Sequence, residues 1–178
     1  MSPKEFVKLF VKWSGKDYDE VVIQRNHYLI RSGQIEKYLY LITEGALIAT
    51  YLHEDEELTV RLGYKDSVIT SLDSFITGNR AQFSLVAIKK TRVIRLEKET
   101  YLNFVASGTD VNIYHSQIMS GLLISMLNRE IDLLTTSPKK RYERVLERSP
   151  QVFQEIPLKY IASYLRMTPE TLSRLRKS

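Results

Sequence analysis

Short apolar runs alternate with polar breaks from Tyr18 to Leu96 at intervals of roughly 8 to 12 residues, the pattern of an all-β sandwich or barrel. The runs are Val21-Val22-Ile23, Tyr28 to Ile30, Tyr38 to Ile42, Ala46 to Leu52, Leu58 to Leu62, Val68-Ile69, Phe83 to Ile88 and Val93 to Leu96. Between them stand Arg25-Asn26, Thr43-Glu44-Gly45, Glu54-Asp55 and Lys89-Lys90, while Gly33, Gly45, Gly63 and Gly78 are placed to supply the positive φ of tight turns. About eight strands are expected. Ahead of them MSPKEFVKLFVKW reads as an amphipathic helix with Phe6, Val7, Phe10 and Val11 on one side.

After Lys98 the period changes. From Thr109 to Leu134 the positions Ile113, Gln117, Ser120, Ile124, Leu127, Ile131 and Leu134 follow the 3-4 spacing of a coiled-coil stripe, flanked by Met119, Leu122, Leu123, Met126 and Leu133. That face is wider than one packing partner requires. One side is expected on the β-domain and the other against a second chain, with Gly121 and Ser125 allowing close approach; a single buried helix is the competing reading. Ser137 then caps a helix that has Pro138 at its first position and Tyr142, Val145 and Leu146 along it, until Ser149-Pro150 stops it. A short link from Gln151 to Glu155 follows.

The final stretch, IPLKYIASYLRMTPETLSRLRKS, divides into two short helices about a tight turn. Pro157 starts the first, which buries Leu158, Ile161, Ala162 and Leu165; Thr168 caps the second, Pro169 takes its first position, and Leu172 and Leu175 turn inward. Such a pair is the form of a helix-turn-helix, whose second helix presents its N-terminal residues to base edges in the major groove. Those residues are Thr168, Pro169, Glu170 and Thr171, followed by Arg174. An acid facing phosphates is repelled unless it accepts from cytosine N4 or orients an arginine, and Glu170 and Arg174 stand four apart on one face, spaced to lock together. Arg176 and Lys177 suit phosphates, contributing affinity without sequence information. A helical hairpin with an exposed charged face would read the same way.

Charge sharpens the choice. The segment 138–178 carries ten Lys or Arg against four acids, whereas the first 137 residues carry 16 basic and 17 acidic side chains. A basic C-terminal segment on a nearly neutral body is the footprint of a polyanion-binding module, though a solvated basic surface has the same composition. With 178 residues, 43% apolar and 26% charged, the chain is long enough for one or two small globular domains. No apolar run approaches the roughly 18 residues that span a bilayer, and the N-terminus lacks the apolar core of a signal peptide, so a cytoplasmic protein with no membrane partner is expected. The absence of cysteine removes disulfides and thiolate metal sites. His27, His53 and His115 have no partner at i+3 or i+4, no phosphate-cradling glycine loop or nucleophile elbow occurs, and Glu54 to Glu57 reads as a solvated hairpin loop. No metal site and no enzyme are expected.

KYIASYLRMTPETLSR resembles the C-terminal helix-turn-helix of the cyclic-AMP receptor protein and Fnr (Crp/Fnr) family of transcription regulators, especially the form common in Bacteroidetes. SPKKRYERVLERSP resembles the helix leading into it, and Ser32-Gly33, Tyr38 to Ile42 and Glu44-Gly45 resemble the family's cyclic-nucleotide-binding β-roll. The resemblance implies an α+β chain: a jelly-roll-like β-roll sensor with its N-terminal helix over 1–108, a dimerisation helix over 109–136 and a DNA-binding domain over 137–178. It implies a homodimer on a palindromic double-stranded operator, with RNA polymerase a further partner, and it puts Glu170 and Arg174 at the base-reading positions, Pro169 replacing what is often a polar contact.

Three departures from the family pattern matter. The sensing pocket is marked in the family by Gly-Glu-Leu and by Arg-Ser; the corresponding SVITSLDSFITGNRAQFSLVA has Asp73 near the first and Arg80-Ala81-Gln82 at the second. Losing both the glutamate and the serine makes cyclic nucleotide an unexpected ligand, and no cofactor is expected; a site that keeps Arg80 alone for the phosphate is the alternative. Arg166 stands where the family usually has glycine, which at positive φ costs roughly 1 kcal/mol and is expected to remodel the turn slightly. The sequence ends about one turn after Arg174, so no β-wing is expected within it and the DNA footprint is expected to be smaller than that of the family's winged form, a C-terminally truncated chain being the alternative. The reading from a different class is a ligand-sensing β-roll that acts through protein contacts without DNA.

Overall fold

The computed structural model describes residues 3–15 and 19–177; Tyr18, the expected start of the β-region, and the terminal residues Met1 and Ser178 lie outside the described residues. Eight strands form: β1 (Asp19–Ile23), β2 (Tyr28–Ile30), β3 (Tyr38–Glu44), β4 (Ala46–His53), β5 (Glu56–Tyr64), β6 (Val68–Ile69), β7 (Ser84–Ala87) and β8 (Thr91–Glu97). They pair antiparallel into two four-stranded sheets, β1-β8-β3-β6 and β2-β7-β4-β5. Alternation supplies the inner faces: Ile42, Leu47, Leu85, Ala87 and Val93 are fully buried in one cluster between the sheets. The β4–β5 turn is tighter than the expected acidic loop. Glu54 and Asp55, both at positive φ, close a two-residue hairpin, and Glu56 and Glu57 already pair with His53 and Leu52.

Two glycines behave differently from one another. Gly45 has φ +85°, and a Cβ there would lie 2.4 Å from the Lys90 carbonyl oxygen and 2.6 Å from Thr91 Oγ1. Gly45→Ala is therefore expected to cost about 3 kcal/mol and to lower the melting temperature by roughly 6–12 °C, which calorimetry measures. Gly63, expected in a turn, instead lies within β5 opposite Leu47. There a Cβ would meet Ile42 Cδ1 at 2.9 Å, so the position selects smallness and not a turn conformation.

The helices around this sandwich are α1 (Pro3–Ser14), α2 (Leu72–Thr77), α3 (Lys98–Ala106), α4 (Thr109–Leu134), α5 (Pro138–Arg148), α6 (Val152–Glu155), α7 (Leu158–Tyr164) and α8 (Pro169–Lys177). α1 buries Phe6, Val7 and Phe10 in an aromatic cluster with Tyr101 and Phe104 of α3 and Tyr114 of α4. The short helices α2, α3 and α6 are additions to the sequence reading, and the link from Gln151 to Glu155 is in fact one helical turn. Ser137 Oγ accepts from the Lys140 N–H at 3.4 Å with Pro138 behind it, as its capping pattern implies. Among the described residues no helix is long and apolar enough to cross a membrane.

α4 uses its faces unequally. Tyr114 and Ile118 pack inward, whereas Ile113, Gln117, Ser120, Ile124, Leu127 and Ile131 all lie exposed along one side. Ile124 and Leu127 are 58% and 59% exposed, values that mark an apolar stripe without a partner in the single chain.

Candidate nucleic-acid interface and effector cavity

The terminal helices α7 and α8 cross on Ile161, Ala162, Leu165 and Leu172, all fully buried. Their turn closes α7 in a two-bond pattern: the Arg166 N–H donates to the Ser163 carbonyl at 3.1 Å and the Met167 N–H to the Ala162 carbonyl at 3.0 Å. That pattern requires a left-handed residue, and Arg166 takes φ 55°. The turn thus keeps the form that glycine would adopt and is not remodelled; the left-handed strain of about 1 kcal/mol is accepted instead. Its carbonyl oxygen accepts from Arg141 Nη2 of α5 at 3.3 Å, which ties the turn to the preceding helix.

Thr168 caps α8, its Oγ1 accepting from the Thr171 N–H at 3.2 Å and lying 3.2 Å from the Thr171 hydroxyl. Thr168, Pro169, Glu170, Arg174, Arg176 and Lys177 are exposed, and Thr171 is half-buried. Glu170 and Arg174 do not form the lock their spacing suggests: among the described residues no ion pair within 4.0 Å joins them. The Glu170 carboxylate turns back on the helix start. Its own backbone N–H and then the Thr168 hydroxyl hold it below the ordinary carboxylate range, with the Arg174 charge a lesser influence. An acid in the first turn and cations in the last also match the helix dipole. Arg174 is left to present its guanidinium donors outward.

This helical pair is mounted on the sandwich, not tethered beside it. Val145, Val152, Ile156 and Ile161 share one apolar cluster with Ile48 and Val86 of the second sheet and with Ile88 just after β7. Strand β5 is an edge, and at Thr59 its exposed backbone is covered: the N–H donates to Ser163 Oγ of α7 at 3.0 Å, and the carbonyl accepts from Arg129 Nη2 of α4 at 3.3 Å. A buried ion cluster joins α4 to α5. Asp132, 1% exposed, accepts from Arg144 Nε at 2.8 Å and from Arg148 Nη2 at 2.6 Å. Nothing in the sequence marks Asp132, because a lone acid on a helix carries no periodic signal.

Between the β5 edge, α2, α4 and the C-terminal helices lies a cavity of about 920 Å³, a size suited to a small-molecule ligand. Of the four residues the sequence pointed to, Asp73 and Gln82 line it. Arg80 and Ala81 do not. Arg80 donates to the Gly33 carbonyl at 2.7 Å on the exposed side, and Ala81 is buried in the sandwich core. The Asp73 carboxylate is engaged locally, accepting from the Gln82 N–H and the Ser71 hydroxyl, each at 2.8 Å. The cavity's cations come from elsewhere: Arg61 of β5, Arg129 of α4 and Arg148 of α5. An arginine between Val60 and Leu62, or one inside an apolar stretch of helix, was visible in the sequence, but nothing local linked the two. His115, by contrast, is absorbed in packing, with Nδ1 2.6 Å from Tyr101 Oη.

Residues 20–107 match the family model of the cyclic nucleotide-binding domain. No curated protein matches the sequence. Solved structures resemble it in fold: FixK2 from Bradyrhizobium japonicum at 16% identity, over 91% of this chain and 84% of that one, with a TM-score of 0.78. The c-di-GMP responsive global regulator CLP of Xanthomonas campestris is similar at 13% identity over 98% and 90%, with a TM-score of 0.70. The Thermus thermophilus catabolite activator protein is similar at 19% over 99% and 83%, with a TM-score of 0.58. The architecture is thus a β-sandwich matching the cyclic nucleotide-binding domain, followed by a long helix and further short helices, a fold shared with these solved structures.

Proposed function

We propose that the chain is a Crp/Fnr-type transcription regulator of the form found in Bacteroidetes, acting in the cytoplasm as a homodimer that reads palindromic DNA under control of an effector bound near the β-roll. The observation that carries this reading is α8: a capped, packed helix whose outward side presents Arg174, Arg176 and Lys177 together with Thr168, Pro169 and Glu170. The exposed stripe of α4 supports self-association, and the likeness in fold to a catabolite activator protein and a global regulator supports gene control. RNA polymerase is a further partner on this reading. Cyclic nucleotide is not the expected effector, because Arg80 and Asp73, nearest to the family's ligand-binding positions, already bond within the chain.

Selection of bound sequences from random duplexes tests the proposal, with a two-fold symmetric site whose half-sites are spaced about 34 Å apart as the expected product. Arg174→Ala is expected to weaken that site by roughly 10- to 100-fold and to relax the preference at one base pair in each half-site. Loss of Lys177 instead lowers affinity for all sequences alike and reduces the salt slope by about one per protomer. Enrichment of no sequence, together with salt-independent retention, would remove the reading.

A further inference from the structure

We infer that the cavity between β5, α2, α4 and the C-terminal helices binds a small anion with an apolar body, its charged group held between Arg61 and Arg129. This deepens the reading above by naming the effector's chemistry. It also places its charge contact away from Arg80. The cavity wall carries unpaired positive charge. Arg61 and Arg129 both line the cavity, and among the described residues neither has a carboxylate within 4.0 Å. Arg148, the third arginine in the wall, is already neutralised by Asp132. Arg129 spends Nη2 on the Thr59 carbonyl, but its Nε is buried with no acceptor. Burial presses both guanidinium groups below their ordinary range, Arg129 adding to the effect on Arg61. Arginine does not shed its proton in proteins, so a desolvated pair of this kind is relieved by an anion.

The wall is also shaped for an apolar body. The register of β5 against β4 slips between Ala49 and Thr50, leaving Val60 as a bulge. A regular strand sends neighbouring side chains to opposite faces, but here Val60, Arg61 and Leu62 all line the cavity, since a bulge re-aims the strand locally. Val68, Leu72, Ile76, Phe83 and Met126 supply apolar wall in the same cavity, which suits a hydrocarbon or aromatic body. A cation would be repelled and a neutral molecule would leave both charges unpaired. Tyr164 of α7 makes up another part of the wall, with the Arg129 guanidinium 5.2 Å from its ring centre. A ligand that draws Arg129 away from Thr59 and Tyr164 loosens contacts that seat the terminal helices, which gives the anion a route to α8.

The test uses the full chain and two dyes that differ by one charge: 8-anilino-1-naphthalenesulfonate and its uncharged parent N-phenyl-1-naphthylamine. The sulfonate is expected to bind more tightly than the parent. Arg61→Gln and Arg129→Gln are each expected to weaken the sulfonate by about tenfold or more while changing the parent by less than about twofold. Among the described residues the Arg61 side chain makes no hydrogen bond or ion pair, so Arg61→Gln is expected to melt as cooperatively as the unsubstituted protein and gives a reading free of folding defects. Decanoate and decyl phosphate as competitors distinguish a carboxylate from a phosphate ligand. Equal affinity for the two dyes, or sulfonate binding unchanged in both variants, would overturn the proposal. These titrations contain no DNA, so a chain that binds the sulfonate through its arginines yet ignores every duplex would sink the regulator reading alone.

Discussion

With glutamate at both Ile124 and Leu127, the protein is expected to sediment as a folded monomer and to bind duplex DNA at least about 100-fold less tightly. The two side chains are more than half exposed on the outward stripe of α4, and the single chain's core does not use them. Burying such a side chain contributes about 1.5–3 kcal/mol, and a symmetric interface contains each position twice. Four carboxylates along a closed seam reverse that gain. On the proposed function, two DNA-contacting helices held in one particle would act as a linked pair, and their separation would forfeit an advantage of roughly 10²- to 10⁴-fold. Sedimentation velocity, a melting curve and a duplex titration on one preparation decide the matter. A dimer that survives both substitutions would show that this stripe is not the seam.

Asp132→Ala is expected to lower stability by about 2–3 kcal/mol and the melting temperature by roughly 4–12 °C. The carboxylate is almost wholly buried and is the shared acceptor of two arginines from the next helix. Its removal leaves like charges facing one another across the α4–α5 junction. The loss stays below the 3–5 kcal/mol of a fully buried pair, because Arg144 and Arg148 retain 37% and 28% of their side-chain exposure and can rehydrate. The position of the damage matters as much as its size. Thr135 to Ser137 is the only covalent joint between α4 and α5, so the variant is expected to exchange amide hydrogens faster across α5 to α8 than across the sandwich. Uniform acceleration over the whole chain would show instead that the cluster supports global stability alone.

Much of this architecture was legible along the chain. The eight strands fall on eight apolar runs, and α4 spans the residues where the 3-4 spacing begins and ends. Ser137-Pro138 and Thr168-Pro169 open helices where their capping chemistry says they should. Such signals are local: alternation, periodicity and caps are decided by residues within a turn or two of one another. Even the left-handed position at Arg166 was visible as a place where glycine is the ordinary choice. Short elements were less legible, since α2 and α6 contain too few residues to show a period.

What the sequence alone determined, then, is the set of elements and the basic helix at the end, because each follows from neighbours in the chain. Only the tertiary structure decided that Arg61 and Arg129 line one cavity, that Asp132 is buried between two arginines, that Gly63 is needed for its size, and that Glu170 folds back on its own helix in place of engaging Arg174. Each of those outcomes depends on how a bulged strand, a long helix and a docked helical pair are brought together. Desolvation and charge act on distance in space, which separation along the chain does not reveal.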